Sequence, residues 1–389
     1  MKKISRKEFF KKTGVITAGV MISPALAGSP MPAGNAKKTR VGLIGCGSVS
    51  HSYLPHLSAC PYAEIVSACD IRYERAVAQA GRFNIPHTYP HIDQMLAGAP
   101  FDLLVNLTDM QEHGRLNKIA LTAGKNVWSE KPLASTVEEG KELLELAKEM
   151  NVRLWGAPVV VNSPQFAFMA EAIRTGKLGK ISSAHAHYGH LGPTWSAFFY
   201  EKGGGSLPDL GVYNLATLTG LLGPAKYVTA MTSIVTPVRN TDNKGEVKVE
   251  AEDNAMVLMD HGNGILSHVQ SGFNYFDPYG HTGTGQDRPT VLIWGTRGNM
   301  GLVGYDCAPF GVALATTDHE EPVRHANDAL GYVWQEGASV VAETLATGKE
   351  TLVSAEHSLH VLEIIEAARK SGQTGERIRI TTKFKYPVI

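Results

Sequence analysis

Three side chains in this sequence have the chemistry to take a proton from an alcohol and to stabilise its oxygen while a hydride leaves: Lys131, Asp209 and Tyr213. The ammonium group of Lys131 can bind the reacting hydroxyl group and stabilise the negative charge that develops on its oxygen. Tyr213 can accept the hydroxyl proton if the charge of Lys131 lowers the pKa of its phenol. Asp209 precedes Tyr213 by one helical turn and can orient the substrate or Lys131. The simpler interpretations are a solvated lysine, a core tyrosine and a helix N-cap.

A glycine turn between two predicted strands indicates a dinucleotide cofactor. The turn follows the apolar run 40–44, and its predicted cofactor-binding residues are Gly45, Gly47, Ser48 and Val49. Gly45 permits a tight turn, and Gly47 lets the backbone approach a pyrophosphate at the start of the next helix. Asp70 ends the second strand, where a carboxylate can accept hydrogen bonds from the adenosine ribose. Because Asp70 repels a ribose phosphate, NAD is predicted over NADP, although Arg72 is placed to contact such a phosphate.

The elements that position these residues alternate between strand and helix from residue 39 to residue 159. This order predicts a doubly wound parallel sheet, the Rossmann fold. Ligands of such sheets bind beyond the carboxyl ends of the strands. The residues at those ends that are predicted to contact the cofactor are Leu107, Thr108, His113, Glu130 and Lys131.

The remainder of the chain, residues 160–389, has a different pattern. Several predicted strands follow one another without intervening helices, which predicts an α+β domain with a mainly antiparallel open sheet. Two helices, residues 327–347 and 355–370, are predicted to end this domain. In the first domain, a long helix is predicted at residues 135–150, where Ser135 and Glu138 have the spacing of a capping box.

Several of these motifs together identify the chain as resembling the Gfo/Idh/MocA oxidoreductases, especially the glucose–fructose oxidoreductase branch. They are the glycine turn with Asp70, the sequence Glu130-Lys131-Pro132 and the run Gly203-Gly204-Gly205 followed by Asp209-Leu210-Gly211-Val212-Tyr213. The resemblance covers nearly everything from residue 39 onward. It implies an NAD(P)-dependent sugar oxidoreductase in which residues 160–389 bind the substrate and form a homodimer or homotetramer.

The predicted reaction is hydride transfer to NAD from a secondary hydroxyl group of a sugar, a glycoside or a cyclic polyol. A second reaction uses the same groups: oxidation to a ketone acidifies the neighbouring C–H, so a base can eliminate a glycosidic substituent before the ketone is reduced again. A third interpretation is a non-catalytic protein that binds NAD and sugar. The presence of Lys131, Asp209 and Tyr213 together favours catalysis.

Composition excludes some partners. The 389 residues carry a formal net charge of zero, so no electrostatic attraction to nucleic acid is expected. His185 and His187 alternate onto one face of a predicted strand, but no third ligand is identifiable, and we therefore predict no metal site. The four cysteines are predicted to be free thiols in the interior.

The first 27 residues are predicted to be an export signal, with a basic start, an apolar run and the cleavage sequence Ala25-Leu26-Ala27. The apolar run is too short to cross a membrane, so no membrane anchor is predicted. The basic start resembles a twin-arginine signal in which Lys7 replaces the second arginine. We expect a periplasmic protein, a flexible linker at residues 28–38 and a tightly held NAD, since free dinucleotide is scarce outside the cytoplasm.

Overall fold

Six parallel strands build the first sheet in the order β3-β2-β1-β4-β5-β6. The computed structural model describes residues 37–278 and 287–389, and the predicted export signal lies outside them. The strands are β1 (Thr39–Ile44), β2 (Ala63–Cys69), β3 (His87–Tyr89), β4 (Leu103–Asn106), β5 (Asn126–Ser129) and β6 (Leu154–Gly156). The strand order confirms the predicted Rossmann fold.

Helices separate these strands along the chain: α1 (Ser50–Ala59), α2 (Tyr73–Phe83), α3 (Ile92–Ala97), α4 (His113–Thr122) and α5 (Val137–Glu149). Both faces of the sheet are buried, because Leu103 and Val105 of β4 pack into one apolar cluster and Leu104 into another. Strands buried on both faces are continuous apolar runs, as this sequence shows.

The start of α5 differs from the prediction by one residue. Thr136, not Ser135, is the N-cap, and its hydroxyl accepts the backbone N–H of Glu139 at 3.2 Å. The carboxylate of Glu139 in turn accepts the N–H of Ser135 at 2.9 Å. The two bonds resemble those of a capping box, but Glu139 takes the place expected of Glu138 and accepts the N–H of Ser135, the residue before the N-cap.

The second sheet has nine strands in the order β16-β15-β14-β13-β7-β12-β11-β8-β17. Only β7 and β12 pair in parallel, so the mainly antiparallel prediction is confirmed. A separate hairpin of β9 and β10 was not predicted. The bounds are β7 (Ile181–Gly189), β8 (Tyr227–Ser233), β9 (Val238–Thr241), β10 (Gly245–Lys248), β11 (Asn254–Gly262), β12 (Ile265–Gly272), β13 (Pro289–Gly295), β14 (Gly298–Tyr305), β15 (Ala308–Thr316), β16 (His319–His325) and β17 (Ile378–Arg379).

Four helices follow in this part of the chain: α6 (Pro164–Arg174), α7 (Val212–Leu222), α8 (Gly337–Thr347) and α9 (Ala355–Thr374). Of these, α8 packs on β1, β2 and β5 of the first sheet. Helix α8 is half as long as predicted. Leu330 and Gly331 have positive φ angles of 49° and 85°, and a helix cannot continue through such residues.

The two faces of the second sheet differ. Helix α7 is buried along its whole length against one face. On the other face the side chains of Met231, Met256, Leu258 and Leu266 are 47–80% exposed. In residues 37–278 and 287–389 we find no helix with the length and apolar character needed to cross a membrane.

Candidate active site

The turn after β1 has the backbone shape that a pyrophosphate needs. Gly45 has a φ of 89°, and a Cβ there would lie 2.5 Å from the carbonyl carbon of Leu107. A Cβ at Gly47 would meet only the guanidinium of Arg75, at 3.5 Å. The space above Gly47 is therefore open, and Ser48 and Val49 lead from it into α1. These residues fit a dinucleotide at the start of the helix.

Asp70 lies at the end of β2 and binds this turn. Its Oδ2 accepts the backbone N–H of Cys46, and its Oδ1 accepts that of Arg72, both at 2.8 Å. Each carboxylate oxygen keeps a further lone pair for a ribose hydroxyl group. The side chain of Arg72 is exposed to solvent.

The residues predicted at the end of β4 hold the neighbouring loops in place. Leu107 is buried, and its N–H donates to the carbonyl of Ile44. Thr108 donates its hydroxyl to Asn106 Oδ1 at 2.7 Å. The ring nitrogens of His113 lie 2.7 Å from the carbonyl of Pro132 and 3.0 Å from that of Thr108, so this histidine links the two loops. Burial lowers its pKa. Its direct contact with the cofactor stays a prediction.

Lys131 and Asp209 form an ion pair at the carboxyl end of β5. Lys131 Nζ donates to Asp209 Oδ1 at 2.7 Å and to the backbone carbonyl of Asp209 at 2.9 Å. Both side chains are 12% exposed, so the pair is accessible from one side only. An ammonium carries three N–H bonds. Two of them are directed at Asp209, which leaves one for a ligand.

Tyr213 joins this pair through its ring. Lys131 Nζ lies 5.4 Å from the ring centroid, within cation–π range. Burial raises the pKa of Tyr213 well above its usual value, and the neighbouring negative charge of Glu130 raises it further. The expectation that Lys131 lowers this pKa is therefore wrong, because desolvation of the phenol dominates. In the described chain we find no hydrogen bond to the Tyr213 hydroxyl.

The glycine run before Asp209 is held by an ion pair from α9. Arg369 donates to both carboxylate oxygens of Glu252, at 2.9 and 3.0 Å. A Cβ at Gly205, whose φ is 111°, would lie 2.4 Å from Glu252 Oε1. The chain then runs through the wide helical turn Leu207–Gly211 into α7. The prediction of one regular helix from Asp209 missed this wide turn, yet Asp209 and Tyr213 still reach the same lysine.

Comparison with known protein families shows the family to which this chain belongs. Residues 39–157 match an oxidoreductase family with an NAD-binding Rossmann fold, and residues 166–300 match the GFO/IDH/MocA C-terminal domain. The chain belongs to the Gfo/Idh/MocA oxidoreductase family. Its first domain is thus an NAD-binding Rossmann domain, and the cofactor prediction of NAD is confirmed.

Among Gfo/Idh/MocA relatives, a 1,5-anhydro-D-fructose reductase of Ensifer adhaerens is 29% identical over 195 residues, 49% of this chain and 59% of its own length. A D-apiose dehydrogenase of Rhizobium rhizogenes is 22% identical over 378 residues, 89% of this chain and 99% of its own length. The match therefore spans nearly all of the D-apiose dehydrogenase but less than two thirds of the 1,5-anhydro-D-fructose reductase.

Solved structures of the same fold include a levoglucosan dehydrogenase in complex with NADH. It superimposes with a TM-score of 0.77 at 21% identity, and the match covers 89% of this chain and all of that one. At this level of identity the likeness establishes the fold alone.

Sequence reasoning missed several residues of the site. Trp334 packs edge-on against Tyr213, with ring centroids 6.0 Å apart. Gln111 donates to the carbonyl of Phe198 at 2.9 Å, beside the glycine run. Glu252 and Arg369 were also missed. Trp334, Glu252 and Arg369 are all distant in sequence from the residues that they contact, and no local pattern in the sequence indicates these contacts.

His185 and His187 lie away from this site, on the open face of the second sheet. His185 Nδ1 is 2.8 Å from Nδ1 of His268 on the neighbouring strand. Within the described ranges no three histidine, cysteine or acidic side chains are arranged to hold a metal ion. All four cysteines are free; three are buried, and Cys60 is half-buried.

Proposed function

We propose that this protein is an NAD-dependent oxidoreductase that transfers a hydride from a secondary hydroxyl group of a sugar, a glycoside or a cyclic polyol. The observation that carries the proposal is the contact of Lys131, at the end of β5 in the cofactor domain, with Asp209 and Tyr213. Lys131 keeps one N–H bond for a ligand and lies next to a carboxylate and an aromatic ring. The N–H bond can bind the hydroxyl oxygen of a substrate, and the aromatic ring can pack against the apolar face of a sugar ring. The relatives that reduce or oxidise sugars support this substrate class.

NAD, when bound, supplies the hydride acceptor. Lys131 binds the substrate oxygen through its remaining N–H bond and stabilises the charge that develops there. As the hydride leaves, Lys131 can pass a proton to Asp209 Oδ1 across 2.7 Å and take the hydroxyl proton in its place. Tyr213 remains protonated because its pKa is raised, so it can donate a hydrogen bond to the substrate oxygen but is not assigned the role of base. The proposal therefore moves the role of base from Tyr213 to Asp209.

We propose NAD rather than NADP as the working cofactor. The carboxylate of Asp70 is fixed by two backbone N–H groups at the end of β2, and a ribose phosphate would face its negative charge. The ratio of kcat/KM for the two cofactors tests this preference. A higher value with NADP would contradict it.

We propose that a second copy of the chain covers the open face of the second sheet. Met231, Met256, Leu258 and Leu266 form exposed apolar positions on three adjacent strands of that face. Burial of apolar area of this kind stabilises association. Light scattering should give the mass of a homodimer or homotetramer, and Leu258→Glu should give monomers. A monomeric wild-type protein would refute this assembly.

We propose a periplasmic location and an NAD that stays bound between turnovers, on the basis of the export signal predicted at residues 1–27. Fractionation of producing cells tests the location: the mature protein should be periplasmic and should lack residues 1–27. Substitution of Arg6 and Lys7 by Gln should leave the precursor in the cytoplasm. A cytoplasmic wild-type protein would contradict export.

The reaction is tested with purified protein on a panel of sugars, aryl glycosides and cyclic polyols, with NADH absorbance and product mass as readouts. We expect a keto product with at least one compound, and no turnover by Lys131→Met, which should still bind NAD. Release of phenol from aryl glycosides with only catalytic NAD would instead establish glycoside cleavage. Binding of NAD and sugar without any product would establish a non-catalytic protein.

A further inference from the structure

A buried tyrosine of the cofactor domain reaches the active-site lysine through one glutamate. Tyr53 lies on α1 and is fully buried. Its hydroxyl donates to Glu130 Oε1 at 2.6 Å and accepts the indole N–H of Trp128 at 3.3 Å. The other oxygen of Glu130, Oε2, accepts the backbone N–H of Lys131 at 2.9 Å.

The direction of these hydrogen bonds is fixed by the groups themselves. An indole can only donate and an ionised carboxylate can only accept, so the phenol of Tyr53 must accept from Trp128 and donate to Glu130. A chain of bonds in one direction strengthens each member. Burial and the charge of Glu130 both raise the pKa of Tyr53, which keeps it a donor. The carboxylate of Glu130 is thereby held at both oxygens.

Fixing Glu130 matters because its neighbour in the chain is Lys131. Glu130 is only 7% exposed, and a buried carboxylate without a donor is costly. In the described residues, Tyr53 and the backbone of Lys131 are the donors to its side chain. Glu130 and Lys131 both lie close to Tyr213: the charge of Glu130 raises the pKa of Tyr213, and Lys131 Nζ is 5.4 Å from its ring centroid. A Glu130 carboxylate released by loss of the phenol would therefore have the Lys131 ammonium as a new partner, in competition with Asp209.

We propose that Tyr53 is a positioning residue for Lys131, which keeps the carboxylate of Glu130 away from the lysine ammonium. This inference rests on the proposed function of Lys131. Tyr53 itself touches no reacting atom. Its effect on turnover should depend wholly on the negative charge at position 130, because a neutral side chain there cannot compete for the ammonium.

A double-mutant cycle with Tyr53→Phe and Glu130→Gln tests that dependence. Phenylalanine keeps the buried ring and removes only the hydroxyl group. We expect Tyr53→Phe to lower kcat roughly tenfold in the wild-type background, with KM and the Kd for NADH within about twofold. In the Glu130→Gln background the same substitution should change kcat less than about twofold. Equal losses in both backgrounds would overturn the proposal.

Tyr89→Phe is the matched control, since Tyr89 lies in the same domain and its hydroxyl accepts one backbone N–H, that of Ala99, at 2.8 Å. Its loss should lower thermal stability without changing kcat. A decrease in kcat that follows melting temperature across both tyrosine variants would assign Tyr53 a merely structural role.

A readout without turnover separates this proposal from the proposed function. Lysines can be labelled by reductive methylation with 13C-formaldehyde, and the signal of Lys131 is the one missing in Lys131→Met. We expect that signal to shift in Tyr53→Phe and to keep its wild-type position in Tyr89→Phe. This outcome holds even if no sugar is oxidised. An unchanged Lys131 signal in Tyr53→Phe would refute the positioning role.

Discussion

The glycine turn and the Lys131–Asp209 pair are held by different kinds of contact. The contacts of the turn are made by the backbone. Gly45 packs against the carbonyl of Leu107, and Asp70 accepts the backbone N–H groups of Cys46 and Arg72. In the pair, two side chains 78 residues apart meet from different domains. The first arrangement depends on the absence of side-chain atoms, whereas the second depends on charge.

This difference predicts where substitutions act. An added methyl group in the turn changes the backbone and should affect folding or cofactor binding. A neutralised charge in the pair leaves the backbone in place and should affect turnover. The two regions can therefore be separated by measuring the free energy of unfolding, the Kd for NAD and kcat on the same variants.

The largest effect is expected at Gly45. Gly45→Ala forces a Cβ to within 2.5 Å of the Leu107 carbonyl at a φ of 89° and should lower the free energy of unfolding by about 3 kcal/mol or more. Gly47→Ala is the matched control: it should change stability by less than about 1 kcal/mol but weaken NAD binding at least tenfold. Urea unfolding and NADH fluorescence measure both. Similar stability losses in the two variants would contradict the assignment of Gly45 to folding and of Gly47 to NAD binding.

The next largest effect is expected at Asp306, a buried acid that contacts Asn214 of α7. Asp306 Oδ1 accepts the amide of Asn214 at 2.6 Å, and burial raises the pKa of Asp306 from 3.8 to about 6. The folded state therefore binds the proton more tightly than the unfolded state. The resulting stability is fully present below pH 4 and is lost as the pH rises to 6, roughly 3 kcal/mol in all.

Asp306→Asn should abolish this pH dependence, because an amide does not titrate in this range. The variant should equal the wild type at pH 4 and exceed its melting temperature at pH 8. Asp102→Asn is the contrasting control, since the hydrogen bonds and charge of Arg40 lower the pKa of Asp102, and its removal should destabilise at pH 8. A wild-type protein that is more stable at pH 8 than Asp306→Asn would contradict the assignment.

The two regions also differ in how far the sequence predicts them. The turn, Asp70 and the strand ends were found from local spacing, because each backbone requirement leaves a glycine or an acid at a fixed distance. The grouping of Lys131, Asp209 and Tyr213 was predicted from their chemistry together with the family resemblance, because no local spacing links residue 131 to residues 209 and 213. The raised pKa of Tyr213 could not be predicted, since it follows from burial by segments such as the one that carries Trp334.

Asp209→Asn tests how far turnover depends on the negative charge of the Lys131–Asp209 pair. The amide keeps the size of the side chain and an acceptor for Lys131, but it cannot take a proton. We expect kcat to fall about 100-fold, which corresponds to roughly 2.7 kcal/mol of barrier. The Kd for NAD and the melting temperature should remain near wild-type values. Loss of NAD binding instead would show that the pair supports the cofactor domain.

Tyr213→Phe should have the smallest effect, because Tyr213 contacts Lys131 through its aromatic ring and is not assigned a proton-transfer role. The ring centroid lies 5.4 Å from Nζ, and phenylalanine preserves that cation–π contact. The loss of one hydrogen-bond donor should lower kcat less than tenfold, and the pH profile of kcat should keep its shape. Tyr213→Leu, which removes the aromatic face, should cost more than Tyr213→Phe. If Tyr213→Phe instead lowers kcat 1,000-fold and removes a titration from the profile, then the phenol is the base despite its raised pKa, and Asp209 only orients the lysine.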